Sequence, residues 1–207
     1  MSDLCLIFAG GPEEDLPCLP LPQEDAWILC ADSGLRLAQR MGVTPDLVLG
    51  DFDSLGALPD APYYQAPVEK DDTDTVLAVR FGLEKGCRRF VIYGALGGRF
   101  DHSFANIQTL LLLHQHGARG ILVGASDMLM LQTAGTTVEY PKREGFTFSV
   151  FSLTTQCEGV SIRGVRYPLE NATLTMYHPL GVSNEITDEC AVLRVEQGIV
   201  LIAQSKL

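Results

Sequence analysis

The hydrophobic pattern of this chain changes character once, near Ser126. Before that point, continuous apolar runs of strand length alternate with segments whose apolar residues recur every three or four positions. After it, short β-prone runs follow one another, separated by Gly, Pro or Asn, with no helical period. Apolar runs buried on both faces, alternating with amphipathic helices, lead to a mostly parallel sheet covered by helices on both faces. Successive short strands without helices lead to a small sandwich or barrel. The expectation is an α/β domain followed by an all-β domain from about residue 130 onward.

In the first part, strands are predicted over 4–9, 26–31, 46–53, 89–96 and 121–124. Helices are predicted over 35–41, 73–85 and 103–116, stopped by Gly42, Gly86 and Gly117. The stretch 55–67 holds Pro59, Pro62 and Pro67 and is predicted to be largely irregular. In the second part, β-prone runs cover 128–132, 136–140, 146–153, 159–162, 173–177 and 190–204, the last with a hairpin turn at Gln197-Gly198.

Composition narrows the partners. The formal net charge is −11, so an acidic surface repels nucleic acid and anionic membrane. An anionic ligand has to arrive with a divalent cation, whereas a cationic one is attracted directly. The six cysteines, at 5, 18, 30, 87, 157 and 190, include no CxxC pair, which argues against a zinc site. No basic region precedes the first apolar run, and no apolar stretch is long enough to span a bilayer. A reduced, cytoplasmic protein without membrane or nucleic-acid partners is expected.

The chemistry concentrates where predicted strands end. Asp46-Leu47-Val48-Leu49 is a buried-strand pattern that runs into Gly50-Asp51-Phe52-Asp53-Ser54. In an extended chain Asp51 and Asp53 share a face and Phe52 points back toward packing. Two carboxylates that close are costly unless a cation or proton lies between them. Asp32 and Asp101 also fall just after predicted strands, the place where open parallel sheets bind ligands. Asp32 or Ser33 also suits a helix cap. Gly97-Gly98 lets backbone N–H groups approach a phosphate, and Arg99 adds a fork of donors. Lys70 precedes Asp71-Asp72-Thr73-Asp74 and is a candidate phosphate ligand beside a metal cluster. His102 is a candidate nucleotide contact or a partner of Asp101.

Taken together, residues 46–55, Lys70-Asp71-Asp72-Thr73-Asp74, Gly97-Gly98-Arg99-Phe100-Asp101-His102, residues 164–169 and Gly181-Val182-Ser183-Asn184-Glu185 resemble the thiamine pyrophosphokinase family. The resemblance covers both halves of the chain in the family's order. It implies a Rossmann-like α/β ATP-binding catalytic domain over 1–128 and a β-sandwich thiamine-binding domain over 129–207. It also implies a homodimer with active sites at the subunit interface. Asp51, Asp53, Asp74 and Asp101 would surround Mg²⁺ and, with Arg99, form the catalytic set. Asp32, Lys70, Asp72, Gly97, Gly98 and His102 would hold the nucleotide. Ser183, Asn184 and Tyr167 would line the thiamine pocket. Ser33, Leu96 and Phe100 depart from residues common in the family, but none removes a charge that the chemistry needs.

The expected reaction is transfer of the pyrophosphoryl group of ATP to thiamine, with Mg²⁺ as cofactor. A metal-dependent phosphohydrolase would use the same paired aspartates with water as nucleophile. A non-catalytic nucleotide- or thiamine-sensing module is the other alternative. The Lys–Arg–Gly-Gly set for a triphosphate and a whole β domain for an acceptor favour the kinase over the hydrolase, and the intact acidic residues favour it over the sensor.

Overall fold

The computed structural model describes residues 2–12, 16–67, 69 and 71–207. The chain divides into two compact units, Met1–Ser126 and Asp127–Leu207.

The first unit is built on strands β1 (Leu4–Phe8), β2 (Trp27–Ala31), β3 (Leu47–Gly50), β4 (Tyr63–Gln65), β5 (Arg89–Tyr93) and β6 (Arg119–Val123). Their order is β6-β5-β1-β2-β3-β4, and every neighbouring pair is parallel. Every residue of β1 is buried, as a central strand covered on both faces requires. Helix α1 (Gly34–Arg40) packs on β1 and β2. Helix α2 (Asp74–Glu84) packs on β1, β2 and β3 and against α3 (Phe100–Gln115), which also packs on β6. Gly34 lets α1 approach so closely that a Cβ there would stand 1.9 Å from the Phe8 carbonyl oxygen. Tyr93, fully buried, stacks on Phe8 at 5.3 Å and donates its hydroxyl to Pro20 O at 3.0 Å.

The order of the strands matters for function. β2, β3 and β4 lie on one side of β1, and β5 and β6 lie on the other. The chain therefore reverses its direction of progress between β1 and β5, and a crevice opens beyond their carboxyl ends.

The second unit is two antiparallel layers. Strands β7 (Asp127–Thr133), β9 (Phe148–Ser152), β12 (Gly181–Asn184) and β14 (Ile199–Ser205) lie in the order β12-β9-β14-β7. Strands β8 (Thr136–Pro141), β10 (Gln156–Arg163), β11 (Leu169–Thr175) and β13 (Cys190–Val195) lie in the order β11-β10-β13-β8. Both layers contribute to one apolar core that includes Phe148, Val150, Ile162, Leu193 and Ile202. Gln132 is buried in this unit with its amide satisfied: Nε2 donates to Leu193 O at 2.9 Å and Thr136 O at 3.1 Å, and Oε1 accepts from the Tyr140 hydroxyl at 3.0 Å.

The structure departs from the sequence expectations at several places. β3 stops at Gly50 instead of continuing to Asp53. The proline-rich stretch contains the short edge strand β4, held by Val48 N–H to Pro62 O and Ala66 N–H to Gly50 O. α3 begins at Phe100, three residues earlier than the apolar period indicated, so Asp101 and His102 sit in its first turn. Residues 181–184 form a strand that the sequence did not single out as one.

Candidate active site

A cavity of about 420 Å³ lies within the first unit, beyond the carboxyl ends of its strands. The segment after β1 contributes Gly10 and Gly11, that after β2 Asp32 and Ser33, that after β3 Asp51 and Asp53, and that after β5 Gly98 and Arg99. Asp74 enters from the start of α2, and His102 and Asn106 from α3.

The expected strand alternation is not what brings Asp51 and Asp53 together. Phe52 adopts φ 65°, a left-handed conformation that a bulky residue rarely takes. Its ring is buried and meets Tyr63 edge-on at 5.6 Å. That packing supports the strained turn. The turn folds Asp53 back, and its N–H donates to Asp51 Oδ1 at 3.3 Å. Ser54 reinforces it by donating Oγ–H to Asp53 Oδ1 at 3.0 Å, while Arg36 Nη2 donates to Ser54 O at 3.0 Å.

Asp32 is strained as well, at φ 47°, with its N–H bonded to Leu49 O at 2.8 Å. Helix capping is not its role: Ser33 occupies the cap position of α1 without a side-chain cap bond. Asp32 is only 7% exposed, and its Oδ1 has no hydrogen-bond partner among the described residues. One oxygen each from Asp32, Asp51 and Asp53 can lie within 4.8 Å of one another. A buried carboxylate oxygen without a donor, facing two more carboxylates, is costly unless a cation or a proton lies among them. An all-oxygen donor set of this kind fits a hard divalent ion such as Mg²⁺.

Arg99 lines the same cavity. It forms a two-pronged pair with Asp101, which is thereby held well below the usual carboxylate range, at about 2. The Arg99 guanidinium is the largest cause, aided by the His102 N–H at 2.9 Å on Asp101 Oδ1. Gly97, at φ 92°, turns the chain so that Gly98 reaches the cavity wall.

Seven of the residues singled out in the sequence therefore share this cavity: Asp32, Asp51, Asp53, Asp74, Gly98, Arg99 and His102. Asp101 joins it through Arg99. Asp72 points elsewhere: it accepts Arg80 Nε at 2.7 Å along α2. Lys70 lies outside the described residues. In the second unit, Asn184 accepts on Oδ1 from the N–H groups of Tyr167 at 3.0 Å and Glu185 at 2.9 Å. Its Nδ2 donates to Tyr167 O at 2.8 Å. Its amide is thus spent on fixing the backbone beside the exposed Tyr167 ring. Ser183 is held at φ 56°, with its N–H on Ser149 Oγ at 3.0 Å.

Sequence reading missed Gly10, Gly11 and Asn106 among the lining residues. The glycines carried a signal, a Gly-Gly pair closing an apolar run. Asn106 carried a fainter one, an amide on the apolar face of α3.

Comparison with known proteins agrees with this architecture. Residues 20–122 match the family model for the thiamin pyrophosphokinase catalytic domain, and residues 135–200 match that for the thiamin pyrophosphokinase vitamin B1 binding domain. Thiamine pyrophosphokinase of Bacillus subtilis is 29% identical over 211 residues, spanning 96% of this chain and 97% of that protein. The crystal structure of the thiamine pyrophosphokinase from Bacillus subtilis superposes with a TM-score of 0.89 at 28% identity, covering 99% of both chains. That of the thiamin pyrophosphokinase from Geobacillus thermodenitrificans gives 0.84 at 27% identity, covering 99% of this chain and 98% of that one. With both halves matched in order and the solved relatives superposing over the full length, the chain belongs to the thiamin pyrophosphokinase family.

Proposed function

We propose that this chain transfers the pyrophosphoryl group of ATP to the primary hydroxyl of thiamine, giving thiamine diphosphate and AMP. The observation that carries the reading is the convergence of Asp32, Asp51, Asp53 and Asp74 with Arg99 around one cavity at the reversal point of a parallel sheet.

On this reading the first unit is the Rossmann-like nucleotide domain. Gly98 presents its backbone at the start of α3, where the helix dipole favours an anion. Gly97 shapes that turn, and His102 contacts the nucleotide from the same helix. Arg99 supplies a rigid pair of N–H donors that matches phosphate oxygens. Asp32, Asp51 and Asp53 would hold Mg²⁺, with Asp74 and Asp101 as further oxygen donors nearby. Bound there, the ion would neutralise phosphate charge and so lower the electrostatic cost of bringing in a nucleophile. The thiamine hydroxyl attacks the β-phosphorus as the bond to the AMP oxygen breaks opposite, and one of the cavity carboxylates accepts the hydroxyl proton. Most of the rate enhancement then comes from positioning and fixed charge.

The second unit, which matches the vitamin B1 binding domain, would bind thiamine through the surface around Ser183 and Tyr167, with Asn184 holding Tyr167 in place. We read the assembly as a homodimer in which the nucleotide unit of one chain and the β unit of the other share a site. A cytoplasmic location fits six cysteines that form no disulfide, and among the described residues no helix is long and apolar enough to cross a membrane.

The test is a single incubation of the protein with ATP, Mg²⁺ and thiamine, followed by product identification. AMP and thiamine diphosphate in equal amounts are expected. Phosphate release without thiamine would instead identify a hydrolase, and binding without turnover a sensor.

A further inference from the structure

We infer that Asn106 is a positioning residue for the loop between β5 and α3, an inference that rests on the ATP reading of the cavity. Residues 94–99 carry Gly98 and Arg99 to the cavity, and they include Gly94 at φ 67° and Gly97 at φ 92°. Glycine removes the steric barriers that fix a backbone path, so the shape of this loop has to come from its contacts.

Ala95 supplies them from both sides of one residue. Its N–H donates to Val123 O on β6 at 3.2 Å, and its carbonyl accepts Asn106 Nδ2 at 2.8 Å. Ala95 is 3% exposed and Asn106 is 6% exposed, so bulk water is a poor substitute for either bond. Asn106 stands on α3, the helix that Arg99 caps, and it also lines the cavity. One amide therefore ties the exit of β5 to the helix that follows. It sets how far the Gly98 backbone and the Arg99 fork stand from the carboxylates of Asp32, Asp51 and Asp53. A displacement of about 1 Å at such a place is enough to lose about 10²-fold in rate. An asparagine that served only packing would not discriminate between the two substrates.

The experiment uses two variants of the full chain. Asn106→Leu keeps the number and branching of side-chain heavy atoms and removes the donor, leaving the Ala95 carbonyl buried without it. Asn106→Ser keeps a donor on a shorter side chain. Three quantities are read: affinity for a non-hydrolysable ATP analogue with Mg²⁺ by calorimetry, KM for ATP and thiamine separately, and amide exchange in residues 94–99. Asn106→Leu is expected to weaken the analogue and raise KM for ATP by about tenfold or more. KM for thiamine should stay within about twofold, and exchange in 94–99 should accelerate. Asn106→Ser should fall between leucine and wild type. Unchanged analogue affinity, or equal losses for both substrates, overturns the inference. If Asn106→Leu fails to fold, Asn106→Ser carries the same comparison. The analogue is measured without thiamine, so a wild-type chain that binds it yet makes no thiamine diphosphate refutes the reaction while Asn106 is still tested. A wild-type chain that does not bind the analogue refutes both.

Discussion

Arg99 and Asp101 grip each other across the first turn of α3, with Nε on Oδ1 at 3.1 Å and Nη2 on Oδ2 at 2.5 Å. A phosphate that binds the side-on fork of Nε and Nη2 competes with Asp101 for those two donors. On the proposed reading, capture of a nucleotide phosphate by that fork and release of the Asp101 carboxylate would be one event. Lysine would keep the charge and lose the fork. Arg99→Lys should lower kcat/KM by about 10²-fold or more in a steady-state assay, with the melting temperature little changed. Near-normal activity in the lysine variant would reduce Arg99 to a general positive charge.

Asp53 sits in a crowded group of carboxylates, and its contacts are to Ser54 and the Asp51 turn. Asp53→Asn should nearly abolish turnover while the fold survives. Relief of like-charge repulsion should leave the melting temperature without Mg²⁺ equal to or above that of wild type, and the stabilisation conferred by added Mg²⁺ should shrink. A folded variant with ordinary kcat at saturating Mg²⁺ would remove Asp53 from the site.

The shared-site reading has its own test. Asp51→Asn and Ser183→Trp should each be inactive. Refolded together at equal amounts, they should form mixed dimers in about half of cases, each with one site free of lesions. Recovery should therefore approach roughly a quarter of wild-type activity, as two-fold symmetry requires. Absence of recovery after verified subunit exchange would place both residues in a site built by one chain.

A pH dependence follows from Arg89, which joins Asp3 at 3.0 Å and Glu24 at 2.7 Å at the base of β5. The guanidinium lowers both carboxyls from their ordinary 3.8 and 4.5. Lowered carboxyls contribute stability that is present above those ordinary values and is lost as pH falls through the lowered ones. In Arg89→Met the melting temperature should drop at neutral pH, and the gap to wild type should close between about pH 5 and pH 2. A gap that stays constant over that range would assign the effect to packing of the arginine stem. Asp3 and Glu24 are exposed and Arg89 is half-buried at the surface, so the change should be small.

Much of this site could be read from residue order alone. Asp32, Asp51 and Arg99 each follow an apolar run, and a parallel sheet delivers the ends of its strands to one edge. What stayed hidden depended on partners distant in sequence. The left-handed turn at Phe52 is held by the Tyr63 ring, on a strand that three prolines made look irregular. Asp72 looked like a neighbour of Asp74, but Arg80 further along α2 draws it off. Asn106 looked like one polar residue in a helical pattern, and its meaning lies in a carbonyl on another element. Periodicity reports which face is buried; it does not report what a buried polar group is bonded to.

The position of β1 in its sheet bears on how the chain is made. One neighbour of β1, β2, follows it directly in the chain, but its other neighbour, β5, begins only at Arg89. On the ribosome the central strand therefore waits with one edge open until β5 emerges. During that interval the nascent chain already holds Asp32, Asp51 and Asp53 but lacks Arg99, so its acidic end is unbalanced. Closing the β1–β5 edge is a non-local pairing of the slow kind, and it brings the arginine loop to the carboxylates in the same step. The arginine loop and the carboxylates thus come together through the pairing that covers the open edge of β1.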